Sequence, residues 1–201
     1  MNARSFCLRY LSTLGCFGLV FGAIASPAWS LPGQRTETVA AWIAGNPTLQ
    51  PSDSGDGLTV RRTDTAAQRF EFRASVLPPG RISFLGNPGI IRSENFSLYD
   101  LINGVSLPRL EEALRVIYGL DIYTDYQNAQ IVRIYPSADT LEMSRRLNLP
   151  GLGGREGELR LGIRFAYWIE LTKNEDSSSH SGQMTVFLKE DLPKMLRELG
   201  Q

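Results

Sequence analysis

The clearest hydrophobic pattern in the chain is a strict alternation from residue 159 to residue 171. Every odd position of this stretch is apolar, and the even positions are Arg, Gly, Arg, Ala, Trp and Glu. A period of two is typical of a strand that buries one face. The pattern therefore predicts one long strand over 159–171. We expect a bulge or bend at Gly162, because glycine inside a strand commonly marks such a break.

A second alternation, over residues 69–76, predicts a strand that forms a β-hairpin with 58–64. The remaining strand candidates are 81–85, 122–126, 131–135 and 184–188. The middle two flank a four-residue polar loop and predict a second hairpin. The last one follows a polar loop and is expected to pair with the long strand.

Apolar residues three and four positions apart predict five short helices. The best defined covers 107–118, where Leu110 and Leu114 share one face. Pro108 lies in its first turn and Gly119 follows its last turn, and both residues are favoured at those positions. The other predicted helices cover 36–44, 98–103, 140–147 and 190–199.

The order of these elements predicts the fold class. Strands and helices come in mixed order, with hairpins and without a repeated βαβ unit, which indicates an α+β fold. We expect an antiparallel β-sheet with hairpins and a few short helices packed on one face. Residues 31–201 are predicted to form a single domain, with a flexible Gly-rich loop near 148–157.

The first thirty residues have the pattern of an export signal. A start with Arg4 and Arg9 is followed by an uncharged apolar run that ends in small residues, and this order predicts a signal peptide cleaved after Ser30. Three alternatives remain at this stage: cleavage after Ala25, retention of the segment as a membrane anchor, and acylation of Cys16. The expected location is periplasmic or secreted, and a photosynthetic lumen is a third compartment that such a signal serves.

Composition narrows the chemistry of the mature chain. Cleavage removes Cys7 and Cys16, which are the only cysteines, so no disulfide or thiol nucleophile is expected. The remaining 19 basic and 21 acidic residues give a net charge of −2, which argues against a nucleic-acid partner. A single histidine excludes a multi-His metal site. We expect no cofactor, no metal and no membrane span after cleavage.

Catalytic motifs are weak in this sequence. His180 lies in a serine-rich stretch, and a serine becomes a nucleophile only when a base takes its proton. Four carboxylates are candidates for glycoside chemistry, which needs two of them close together. They are Asp100, Asp121, Asp125 and Glu170. We predict no catalytic residue, and the alternative is an exported hydrolase that acts on glycan or peptide through carboxylates or a Ser/His pair.

The exposed face of the predicted long strand is the candidate binding surface. Its even positions carry Arg160, Arg164, Trp168 and Glu170. Exposed tryptophan beside arginine is typical of interface hot spots, although a helix or loop covering Trp168 is the alternative. The predicted function is an exported, non-catalytic accessory or binding module of the bacterial cell envelope, whose partner is another envelope protein or a polymer. The sequence indicates no oligomeric state.

Overall fold

An antiparallel sheet of seven strands forms the centre of the structure, a computed structural model that describes residues 31–49, 57–81, 89–147, 149, 153–174 and 176–199. The strands are β1 (Thr59–Thr65), β2 (Gln68–Ser75), β3 (Ser93–Asp100), β4 (Gln130–Tyr135), β5 (Arg155–Leu161), β6 (Ala166–Lys173) and β7 (Ser179–Phe187). The helices of the described residues are α1 (Thr36–Gly45), α2 (Leu107–Tyr118), α3 (Leu120–Gln127), α4 (Ala138–Leu147) and α5 (Leu192–Glu198), the last preceded by a 3₁₀ turn at Lys189–Asp191.

Two antiparallel meanders make up the sheet, whose strand order is β1-β2-β3-β7-β6-β5-β4. The first meander contains β1 to β3 and the second contains β4 to β7, with α2 and α3 between them in the chain. The meanders join where β3 pairs with β7. The predicted α+β fold is confirmed.

The main hydrophobic core lies between one sheet face and the first three helices. A single cross-strand row supplies its floor, with Phe72, Phe96, Met184 and Ile169 on four neighbouring strands. The helices contribute Val39, Ile43, Leu110, Leu114, Ile122 and Tyr126. We call this side of the sheet the helix face, and the opposite side the open face. At one end of the open face α5 covers a second cluster, which contains Leu159, Phe187 and Met195.

The prediction of one strand over 159–171 is wrong, because the segment forms a hairpin. β5 ends at Leu161, β6 begins at Ala166, and the two strands pair with each other. A residue outside this segment holds the turn between β5 and β6. The buried Asp125 of α3 accepts backbone N–H bonds from Ile163 and Arg164 at 2.9 and 3.1 Å.

Two other predicted elements are also corrected. The helix expected at 98–103 is the end of β3 and a turn, in which Asp100 accepts the N–H groups of Ile102 and Asn103. These backbone bonds, together with Arg109, hold the pKa of Asp100 well below its usual range. The strand expected at 122–126 is part of α3, so the second hairpin is wrong as well. Ile122 and Tyr126 are one helical turn apart, and both are buried.

The remaining predicted elements agree with the structure wherever it describes them. The helices at 36–44, 107–118, 140–147 and 190–199, the hairpin of β1 and β2, and the strands at 131–135 and 184–188 are confirmed. β5 begins at Arg155, so the last three residues of the loop predicted at 148–157 are strand. The predicted signal peptide and most of the strand candidate at 81–85 lie outside the described residues. In the part of the chain that is described, no helix has the length and apolarity needed to cross a membrane.

Candidate functional site

The open face carries a set of polar side chains at the middle of the sheet. Strand alternation and the register of pairing place Asn95, Thr185 and Trp168 in one cross-strand row. The adjacent row contains Ser97, Gln183 and Glu170. Because β3, β7 and β6 are neighbours, residues from both meanders contribute to this patch.

A groove of about 500 Å³ lies over this patch. The half-exposed Asn95, Ser97 and Gln183 lie on its floor, and Trp168 lines it as well. Residues 77–80 line the groove as a wall that follows the end of β2. The site is therefore a sheet surface bounded by a loop.

The wall of the groove is fixed by contacts with α5. The Lys194 ammonium donates a hydrogen bond of 2.7 Å to the Pro79 carbonyl. The backbone N–H of Arg81 donates one of 2.9 Å to the Glu198 carboxylate. Gly80 has φ +86°, and a side chain there would collide with Glu198. The turn therefore requires glycine, and the groove's width depends on α5.

A chain of hydrogen bonds holds the tryptophan of the groove in one orientation. The Trp168 Nε1–H donates to the Tyr135 hydroxyl at 2.7 Å, and this hydroxyl donates to Glu170 Oε2 at 2.8 Å. Gln183 donates to the other oxygen of Glu170 at 3.2 Å, and Asn95 Nδ2 lies 3.2 Å from Gln183 Oε1. The indole and the floor amides thus belong to one network.

Gly157 makes this network possible. It lies between Tyr135 and Glu170 in a cross-strand row, on the strand that separates them. A Cβ atom at this position would collide with the Tyr135 hydroxyl. Burial raises the pKa of Tyr135 above its usual range, so the hydroxyl remains protonated and can donate to Glu170.

The charges around the groove are paired with one another. Glu71 lies between Arg61 and Arg73, at N–O distances of 3.2 and 2.7 Å. Arg155 lies 3.8 Å from the buried Glu170. The groove therefore has no strong surplus of either sign.

The four residues predicted as a binding surface do not share one face. Trp168 and Glu170 meet in the network of the open face. Arg160 points to the helix face, where its guanidinium lies 4.4 Å from the centre of the Tyr126 ring. Arg164 is exposed in the turn between β5 and β6. The hairpin separates the residues because positions 159 and 168 are paired, so odd positions of β5 share a face with even positions of β6.

The other members of the site were not predicted from the sequence. Tyr135 lies in a strand that was predicted correctly. The only sequence feature that could have indicated its role is an aromatic residue at the end of that strand. Asn95 lies in β3, for which no strand was predicted, and Gln183 lies just before the strand that was predicted at 184–188. Gly157 was assigned to a loop, although glycine inside a strand often marks a close approach of another group.

The carboxylates and the histidine that were considered for catalysis either bond to other groups of the protein or lie far from one another. Asp100 and Asp125 are buried and accept backbone N–H bonds. Asp121 is exposed in the first turn of α3, whereas Glu170 is buried and accepts hydrogen bonds from Tyr135 and Gln183. Glu71, the other carboxylate at the groove, lies three strand spacings from Glu170, so their Cα atoms are separated by roughly 14 Å. His180 Nδ1 lies 3.0 Å from the Asn174 amide. Among the described residues no group of three or more His, Cys, Asp or Glu side chains could hold a metal ion.

Comparison with known proteins adds no relative: no protein-family model, curated protein or solved structure matches this chain. Function is therefore inferred from the groove itself.

The variant Tyr135→Phe tests whether the hydrogen-bonded network contributes to the free energy of unfolding. Tyr135→Phe removes the hydroxyl and leaves Trp168 and Glu170 each with one partner fewer. We expect the free energy of unfolding in urea to fall by about 2 kcal/mol. Tyr99→Phe is the matched control, since Tyr99 is half-buried on the same face and its hydroxyl bonds to no described residue. Its expected loss is below about 0.5 kcal/mol, and equal losses for both variants would contradict the prediction.

Proposed function

We propose that the protein is a non-catalytic binding module that is exported to the bacterial cell envelope and that binds an envelope component in the groove of the open face. One observation carries the proposal: the hydrogen-bonded network of Trp168, Tyr135, Glu170, Gln183 and Asn95 fixes a half-exposed indole and polar groups at the groove. Side chains that are already ordered lose little entropy when a ligand binds.

The size of the groove supports the same interpretation. Its volume of about 500 Å³ falls within the range of about 300–1,000 Å³ that is typical of ligand sites. Glu170 accepts hydrogen bonds from Tyr135 and Gln183, and Glu71 forms an ion pair with Arg73. Such contacts are expected of carboxylates that position the side chains of a binding surface.

Export is the second part of the proposal, and its support is the order of residues at the start of the chain. A basic start, an apolar run and the small residues Ala28 and Ser30 have the arrangement of a cleaved signal. A groove that binds an envelope component would then face the compartment in which that component is found.

Co-sedimentation with a cell-envelope fraction tests the proposed function. The protein is expressed from its full coding sequence with a C-terminal tag, purified, and mixed with insoluble envelope material from the same cells. We expect the wild-type protein to sediment with the envelope and the groove variant Asn95→Ala/Gln183→Ala to remain in solution, because the variant lacks both floor amides.

Arg164→Ala is the matched control, because Arg164 is exposed in the turn outside the groove. This variant is expected to sediment like the wild-type protein. Circular dichroism and urea unfolding establish that all variants are folded. If the groove variant sediments with the envelope as well as the wild type does, or if the wild type does not sediment at all, the proposed function is wrong.

A further inference from the structure

The uncommitted hydrogen-bonding groups of the groove define the chemistry of its ligand. Asn95 donates its amide N–H groups to Gln183 and Thr185, and its Oδ1 atom bonds to no described residue. The half-exposed Ser97 hydroxyl also has no partner among the described side chains and backbone groups. A hydroxyl group both donates and accepts, so it can pair with either of these atoms.

Trp168 is half-buried: it packs against the apolar cluster under α5 and also lines the groove, where it offers only apolar ring surface to a ligand. Its single N–H is already donated to Tyr135. The face of an aromatic ring is electron-rich and attracts groups with a partial positive charge, such as polarised C–H bonds. A ligand of this groove should therefore combine C–H surfaces with hydroxyl groups.

Charge selects against ionic ligands. Glu71 is paired with two arginines, and Glu170 has Arg155 and two hydrogen-bond donors around it. A phosphate or a nucleic acid would need a surplus of basic groups. An ammonium ligand would need an unpaired carboxylate at the groove, and both of these carboxylates are engaged.

The floor of the groove also selects against a peptide that binds by strand addition. That mode uses the free backbone groups of an edge strand. The floor strands β3, β7 and β6 are each paired on both sides, so their backbone groups are used within the sheet. Recognition at the groove must therefore rely on side chains.

We propose that the ligand of the groove is an uncharged oligosaccharide, such as a glycan chain of an envelope polymer, with one sugar ring stacked on Trp168 and hydroxyl groups bonded to Asn95 and Ser97. A sugar ring has hydroxyl groups around its edge and C–H bonds on its faces, which matches the mixture of groups at the groove. The inference rests on the proposed function and adds the class of ligand to it.

Fluorescence titration with defined hexasaccharides tests this inference. The probes are chitohexaose, cellohexaose and maltohexaose, three uncharged chains with different linkages or substituents. The protein carries Trp29→Phe and Trp42→Phe, which leaves Trp168 as the only tryptophan of the sequence. Trp42 packs on Tyr118 within the helix-face core. We expect a saturable change in Trp168 emission with at least one probe, and the same affinity by calorimetry for the protein that retains Trp42.

Two variants locate the binding. Trp168→Ala, which lacks the fluorescent reporter and is measured by calorimetry, should bind more weakly by on the order of tenfold or more. Ser97→Ala should weaken binding several-fold without a loss of stability, since its hydroxyl makes no hydrogen bond to the described residues, and this variant keeps the test valid if Trp168→Ala does not fold. The inference is overturned if no probe binds, or if the folded variants bind as tightly as the wild-type protein.

The outcomes separate this inference from the proposed function. If Asn95→Ala/Gln183→Ala abolishes sedimentation with the envelope but no hexasaccharide binds, the groove binds an envelope component that is not an uncharged glycan. If a hexasaccharide binds at Trp168 but the wild-type protein does not sediment, the ligand class is correct and the envelope location is wrong.

Discussion

Asp125→Asn is expected to lower the free energy of unfolding by about 3 kcal/mol, because it disrupts a buried acceptor that holds the β5–β6 turn. One carboxylate oxygen accepts the N–H groups of Ile163 and Arg164, and the other accepts the Tyr167 hydroxyl at 2.6 Å and the N–H of Phe165 at 3.3 Å. An asparagine has one carbonyl oxygen, so its NH₂ group would face donors on one side. Urea unfolding followed by circular dichroism measures the loss.

Asp121→Asn on the same helix is the control, because its carboxylate is exposed in the first turn of α3. It is expected to cost less than about 1 kcal/mol, through the helix dipole alone. Similar losses for the two variants would show that the four hydrogen bonds of Asp125 do not hold the turn. Gly162→Ala should reproduce the effect of Asp125→Asn, since a side chain at this position would collide with the carboxylate.

This turn explains why the hairpin was not predicted from the sequence. The alternation of 159–171 continues without interruption through the turn, because apolar residues on β5 and β6 are buried on opposite faces. Leu159 packs under α5, whereas Tyr167 and Ile169 pack under α2 and α3. The group that forms the turn, Asp125, lies 38 residues away from Ile163. A local pattern contains no information about such a contact.

The elements that were predicted correctly contain, or directly adjoin, the residues that indicate them. In α2 the apolar face, Pro108 and Gly119 all lie within the helix or next to it. In β2 the alternation of Phe70 and Phe72 with charged residues agrees with the face that is buried. By contrast, Ile122 and Tyr126 occur in a stretch that is rich in strand-forming residues. The helix forms there because Tyr126 packs against Tyr167, with ring centres 5.4 Å apart.

The binding groove could be predicted only in part for the same reason. Trp168 and Glu170 were identified because they alternate on β6, and this local property persists in the hairpin. Arg160 was placed with them only because β5 and β6 were taken as one strand. The network also needs Tyr135 to reach across Gly157, and that contact depends on the pairing of β4, β5 and β6, which the sequence pattern alone does not specify.

The groove depends on a second distant contact, the ion pair between Arg92 and the start of α5. The guanidinium makes two hydrogen bonds to Asp191, at 3.0 and 2.7 Å, and lies close to Glu190. The backbone of Arg92 bonds to Ser75 and to Leu188. Hydrogen bonding to Asp191 raises the pKa of Arg92 above its usual value. This residue therefore joins the ends of β2 and β7 to α5, which in turn holds the groove wall.

Arg92→Met is expected to lower the free energy of unfolding by about 3 kcal/mol, because it leaves Asp191 buried without its main partner. The side chains of this pair are only 16% and 10% exposed, whereas Arg115 and Glu112 form a pair that is 44% and 56% exposed. Arg115→Met is thus the matched control, with an expected loss below about 0.5 kcal/mol.

The loss of unfolding free energy in Arg92→Lys should lie between the losses in Arg92→Met and Arg115→Met. Lysine keeps the charge but cannot form both hydrogen bonds in the same geometry. If Arg92→Met is no less stable than Arg115→Met, the pair does not anchor α5. If the expected order is found, loosening of α5 should also weaken ligand binding in the groove, because Lys194 and Glu198 of that helix hold the wall that faces Asn95.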